Sequence, residues 1–291
     1  MNKLLTGLLA PLILLAPFNA TADDSPVISA GLGDAMLPAI ASFAFCRGIA
    51  LSEGFGGMPV VLSKPVDNLG GFMGDPNALD PSLFQVKVGK RSGLVQPICA
   101  TLAPAVDPAE RRTVLLIGEF GLGGDNGPIA LRVKGDLTAT DGTSLRGART
   151  LDVGEVNGGP SLVLAEVFAP GEVSTSQPDD GTRNRFCPSD GTTQIVKLTF
   201  SGGVSGPNGG ALADDPTAMA GIEIMGVAAN GMRRVLHPTA LRDDDMDNHL
   251  DVCLGTESEG LRLIRAQVNS HTFYAPQNVP GRAITVSIQQ P

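Results

Sequence analysis

Short apolar runs, each closed by a turn cluster, recur along almost the whole chain, and long helical periodicity is nearly absent. Runs of four to eight residues bounded by Gly, Pro, Asn and Asp read as strands, so the pattern restricts the chain to an all-β architecture. Gly (37) and Pro (22) make up about a fifth of the 291 residues, above average usage. They lie scattered between the apolar runs and form no low-complexity block. In the first half the predicted strands are Ala39–Cys46, Pro59–Val66, Leu83–Val88, Gly93–Cys99, Arg112–Ile117 and Ile129–Val133, with an Asp141-Gly142 turn just beyond.

The second half can be laid over the first. Ser161–Phe168 stands for Ala39–Cys46, Ile195–Phe200 for the strand around Val60, and Gly221–Met225 for Phe84–Val88. Arg234–His237 stands for Leu94–Ile98, His249–Leu254 for Arg112–Ile117, and Leu261–Arg265 for Ile129–Val133. From the second strand onward the offset stays at roughly 132–140 residues, a drift that loops absorb. The first strand pair does not share it. Two β-sandwich domains, 23–150 and 151–291, fit the length, the strands and the turns.

The N-terminus reads as a secretory leader. A short positive start with Lys3 precedes an apolar run from Leu4 to Phe18, and Ala20-Thr21-Ala22 is a small-residue cleavage site followed by Asp23-Asp24. Pro11 and Pro17 interrupt the run, which is shorter than the ~20 residues a spanning helix needs. The expected product is therefore secreted or periplasmic, with no membrane span beyond the leader. The formal charge is −9, one unit more negative once Lys3 leaves. An acidic chain without a basic stripe is a poor nucleic-acid partner. In an exported chain the even set Cys46, Cys99, Cys187 and Cys253 implies disulfides, and three pairings are open.

Three stretches carry a resemblance: Val61-Leu-Ser-Lys-Pro-Val-Asp67, Leu79-Asp-Pro-Ser-Leu-Phe-Gln-Val86 and Asp141-Gly-Thr-Ser-Leu-Arg-Gly147. Together they resemble bacterial Ig-like domains of the surface-layer and adhesin type over residues 58–148. The resemblance implies Ig-like sandwiches serving as spacers and interaction surfaces, and nothing about a reaction. Two tandem units further suggest one disulfide each, Cys46–Cys99 and Cys187–Cys253. Cys187 does not occupy the Cys46 position, because the insert Gly171–Arg185 lies between it and the first strand of its half.

The sharpest local motif is Asp243-Asp-Asp-Met-Asp-Asn-His-Leu-Asp251. Asp243, Asp245, Asp247 and Asp251 fall at positions 1, 3, 5 and 9 of a calcium loop, and carboxylate oxygens suit Ca²⁺. Asn248 replaces the usual Gly, and Leu254 stands where the bidentate Glu belongs. His237 and His249 could join these carboxylates at a transition metal. Other signatures are missing: there is no G-x-S-x-G and no H-E-x-x-H. The glycines of Gly118–Gly127 are followed by a predicted strand, not the helix a dinucleotide site requires.

These observations support an exported, non-enzymatic binding or structural β protein, calcium-stabilised at the acidic loop. Its expected partner is an extracellular or periplasmic protein, or a small ligand bound between the domains. The alternative is an exported metal-binding protein or metal-dependent enzyme centred on Asp243–Asp251 with His237 and His249.

Overall fold

A computed structural model describes residues 27–31, 56–67, 71–73, 75–89, 93–103, 108–121, 127–150, 153–154, 159–173, 175–176, 186–242, 247–275 and 278–290. The leader and the predicted strand Ala39–Cys46 lie outside the described residues. What is described is all-β, as the apolar runs require.

The first half contains β1 (Val27–Ala30), β2 (Gly56–Leu62), β3 (Ala78–Leu79), β4 (Phe84–Val88), β5 (Gly93–Val95), β6 (Cys99–Thr101), β7 (Thr113–Gly118), β8 (Pro128–Val133) and β9 (Arg149–Thr150). The second contains β10 (Leu162–Phe168), β11 (Thr175–Ser176), β12 (Cys187–Pro188), β13 (Gln194–Phe200), β14 (Ile222–Val227), β15 (Arg233–Leu236), β16 (Ala240–Arg242), β17 (His249–Leu254), β18 (Arg262–Val268) and β19 (Ile284–Gln289). One short helix, α1 (Pro216–Ala220), precedes β14. Pro216 starts it with a preset φ, and the Asp215 carboxylate accepts the Ala218 N–H at 2.8 Å.

In the first half a five-stranded sheet, β1-β2-β7-β6-β3, and a four-stranded sheet, β5-β4-β8-β9, contribute to one core containing Met58, Val60, Phe84, Leu116 and Leu131. In the second half β16-β17-β13-β10 and β19-β18-β14-β15 form one eight-stranded sheet, joined where β10 and β19 run parallel. Its two arms bury Leu198, Phe200, Ile224, Leu250 and Leu263 together. Phe200 and Phe273 meet edge to face there, 5.0 Å between centroids.

The two halves follow one plan. Strand order β1-β2-β7-β6 recurs as β10-β13-β17-β16, and β5-β4-β8-β9 recurs as β15-β14-β18-β19. Registers match as well: Val61↔Thr113 corresponds to Thr199↔His249, and Val60↔Val114 to Leu198↔Leu250. Even the irregularities recur, between Val27 and Ser29 as between Leu162 and Leu164, and after Lys87 as after Met225. The counterpart of β10 is β1, which accounts for the failed offset of Ala39–Cys46.

One predicted strand needs correction. Gly93–Cys99 is divided between β5 and β6, which lie in different sheets, with Pro97 between them. The same division separates β15 from β16, with Pro238 between. A proline lacks the N–H that a continuous ladder needs, so it marks where the chain leaves one sheet for another.

Candidate functional site

Alternation along β13 and β17 sends Val196, Leu198, Leu250 and Val252 into the core and turns Lys197, Thr199, His249 and Asp251 to the opposite face. Lys197 stands opposite Glu166 of β10 on one side and opposite Asp251 on the other, and Asp251 stands opposite Arg242 of β16. A charge row of alternating sign thus crosses four strands. The turn that leads into β7 closes over it. Lys197 Nζ lies 2.8 Å from Glu110 Oε1 and 2.8 Å from Asp251 Oδ1, and all three side chains are at most 8% exposed. Arg112 donates from Nε to Glu166 Oε2 at 2.9 Å and from Nη1 to the Ser63 carbonyl.

One residue along, Thr113 Oγ1 and His249 Nε2 are 2.9 Å apart, and His249 Nδ1 lies 3.2 Å from Thr199 Oγ1. Asn248 Nδ2 donates to Thr113 Oγ1 at 3.1 Å and to the Phe200 carbonyl at 2.8 Å. Thr113 Oγ1 thus accepts from Asn248 while also facing Nε2, so each ring nitrogen of His249 is engaged by a threonine hydroxyl.

The seam joins like to like. Thr113 and His249 are corresponding positions of the two halves, and they touch. Gly31 of the first half sits so close to Ser201 of the second that a Cβ would lie 2.3 Å from the Ser201 carbonyl oxygen. Their counterparts, Glu166 and Ser63, are linked through Arg112. Corresponding positions meeting reciprocally define an approximate two-fold relation, the internal equivalent of an isologous interface.

Electrostatics make the seam a holding device. Burial by itself would lower the Lys197 pKa, but Asp251 and Glu110 outweigh it and hold the ammonium above its ordinary range. Burial, followed by the charges of Lys197 and Arg112, pushes His249 well below its ordinary value, so its imidazole is neutral. A cavity of about 80 Å³ opens beside Lys197 and Asp251, walled by Pro108, Ala109, Val173 and Phe186, with Glu172 also lining it. Its volume suits a few water molecules.

Asp243 and Asp245, half of the calcium candidate, lie outside the described residues. Asp247 is buried, and its Oδ1 accepts the His249 backbone N–H at 2.5 Å. Asp251 faces Lys197 at the seam. His237 is exposed and donates from Nδ1 to the Ile222 carbonyl at 3.1 Å, while both nitrogens of His249 face threonine hydroxyls. Among the described residues no three His, Cys, Asp or Glu side chains gather in a metal-holding group. Gly118 ends β7, and the next described strand, β8, begins at Pro128.

Cys187 and Cys253 form a disulfide with S–S 2.08 Å. Cys99 is also disulfide-bonded; Cys46, its expected partner, lies outside the described residues. Cys99 stands opposite Ile117, and Ala240 opposite Cys253, the same cross-strand position in the two halves. The cysteine sits on the other strand of the pair in the second half.

Sequence reasoning passed over Glu110, Thr113, Glu166 and Lys197, and the Arg111-Arg112 pair, expected to be solvated, instead has Arg112 largely buried against Glu166. A signal was present, since Glu166, Lys197 and Asp251 are lone charges within otherwise apolar strands, and buried charges are retained only when paired. In comparisons with known proteins the chain matches no family model and no curated protein.

Proposed function

We propose that this is an exported, non-enzymatic binding or structural protein made of two Ig-like β sandwiches locked into one rigid body. The carrying observation is the seam, where Lys197, Glu110 and Asp251 neutralise one another and Arg112 ties Glu166 to Ser63. Groups satisfied in this way hold two bodies together and leave little chemistry to offer a substrate. Export is supported by the leader-like Met1–Ala22 and by the Cys187–Cys253 disulfide, a bond that persists in oxidising compartments.

Calcium is proposed as an accessory. Asp243, Asp245 and Asp247 supply hard oxygen donors at alternate positions between β16 and β17. The competing metal-enzyme reading needs a ring nitrogen of His249 at the metal, and threonine hydroxyls engage both.

The test is export of the full chain from a bacterial host, followed by thermal unfolding of the product with calcium or with chelator. The reading expects a product starting at Asp23, without free thiols, melting in one transition. It expects calcium to raise the melting temperature and the Asp245→Ala/Asp247→Ala variant to lose that rise. Retention in the cytoplasm with free thiols overturns the export reading. An unchanged melting temperature removes calcium alone.

A further inference from the structure

Five large apolar side chains are exposed among the described residues, and two of them, Leu94 and Val235, hold corresponding places. Leu94 (65% exposed) lies in β5 and Val235 (52%) in β15, with Met232 (50%) just before it, whereas Ile98 (39%) leads into β6 and Met73 (91%) lies apart from both strands. Among the described strands both end their sheets, so each leaves one row of backbone N–H and C=O groups without a described neighbour. They are also counterparts: Leu94 stands opposite Lys87, Val235 opposite Met225, and Lys87 and Met225 occupy the same place beside the same register shift.

Charge is segregated at the same places. On the outward face beside β15, Val227 lies between Arg233 and Arg262, and Met225 between Val235 and Arg265. Arg265 Nη2 reaches Met225 Sδ at 3.1 Å, holding the guanidinium over the apolar row. Beside β5, Arg132 lies between Gln85 and Arg149, next to exposed Lys87. Cations outnumber the one carboxylate on the β14 row, Glu223, on a chain whose net charge is −9. Open edge, protruding apolar residue and flanking cations therefore occur together twice.

Resting on the reading of the protein as an exported binding module, we propose that β15, and β5 as its counterpart, each bind an acidic peptide segment as an added strand. Main-chain hydrogen bonds to the free edge supply affinity, and alternate side chains supply selectivity. Carboxylates of the peptide meet Arg233 or Lys87, while its apolar side chains cover Val235 or Leu94. Two corresponding edges in one rigid body make the protein bivalent, so a partner carrying two such segments gains avidity.

The experiment titrates the exported protein with a labelled nine-residue peptide in which threonine alternates with glutamate and valine. Two peptides should bind per chain. Arg233→Glu/Val235→Asp should remove one of them, weakening that site by at least about tenfold, with the melting temperature unchanged because both residues are exposed. A peptide N-methylated at alternate amides keeps charge and apolar groups but cannot extend a ladder, and should not bind. Equal binding by the N-methylated peptide overturns strand addition in favour of a charged surface alone. Binding of neither peptide, by a protein that is exported and melts in one transition, overturns this proposal while leaving the exported-module reading intact. The edge arginines would then act only as guards against self-pairing. Concentration-dependent self-association that blocks peptide binding assigns the edges to a second copy and also overturns it.

Discussion

Lys197 and His249 lie on neighbouring strands of the same buried face and answer to opposite rules. Lys197 remains charged because two carboxylates surround it. Replacing it with methionine strands Glu110 and Asp251 in the seam, and breaking a buried pair in this way costs about 3–5 kcal/mol. Lys197→Met should therefore lower the unfolding free energy in urea by that amount, and Lys197→Met/Glu110→Leu/Asp251→Leu should recover much of it. His249 is held neutral, and a depressed base opposes protonation in the folded state. Its stabilising contribution is complete above the unfolded pKa near ~6.5 and is lost as pH falls below that value, by up to about 1.4 kcal/mol per pH unit. Melting temperature followed from pH 7.5 down to pH 5 should show this slope, and His249→Gln should flatten it. Sequence inspection singles out His249 but not Lys197, and reveals the partners of neither: Thr113 is 136 positions from His249 and Glu110 is 87 from Lys197.

Among the elements, β17 carries the most. Its inner residues complete the second core, its outer residues face the first half, and Cys253 bonds Cys187 across 66 residues. Closing a loop of that length restricts the unfolded chain by about 4 kcal/mol in the chain-entropy account. Cys187→Ala/Cys253→Ala should lose about 2–4 kcal/mol in urea unfolding at fixed pH, with the far-ultraviolet spectrum unchanged. Most strands could be read from alternation and turn residues, because a half-buried strand must place apolar residues on one face. The exceptions have physical causes. β5 and β6 share one apolar run that Pro97 divides between two sheets, and β1 is only four residues long, too short to carry a period.

For the whole molecule, the seam sets cooperativity. Gly31 permits a close approach of the halves, and its replacement by alanine puts a Cβ 2.3 Å from the Ser201 carbonyl oxygen. Backbone cannot move aside as a flexible side chain does, so Gly31→Ala should destabilise by about 1–3 kcal/mol. Calorimetry should show the single transition broadening or dividing into two as the halves lose their coupling; an unchanged sharp transition would mean that the seam is not what couples them. The sequence by itself determined the all-β class, most strands and the repeated plan, because each rests on local alternation and turn chemistry. It also marked lone charges in apolar strands without revealing their partners. Only the tertiary structure decided that β1 is the counterpart of β10 and that corresponding positions of the halves face each other. It also decided that Asp251 turns to Lys197 and that both edges with exposed apolar residues are left open. Those outcomes depend on which surfaces come together after the strands have formed, and nothing local in the chain encodes that choice.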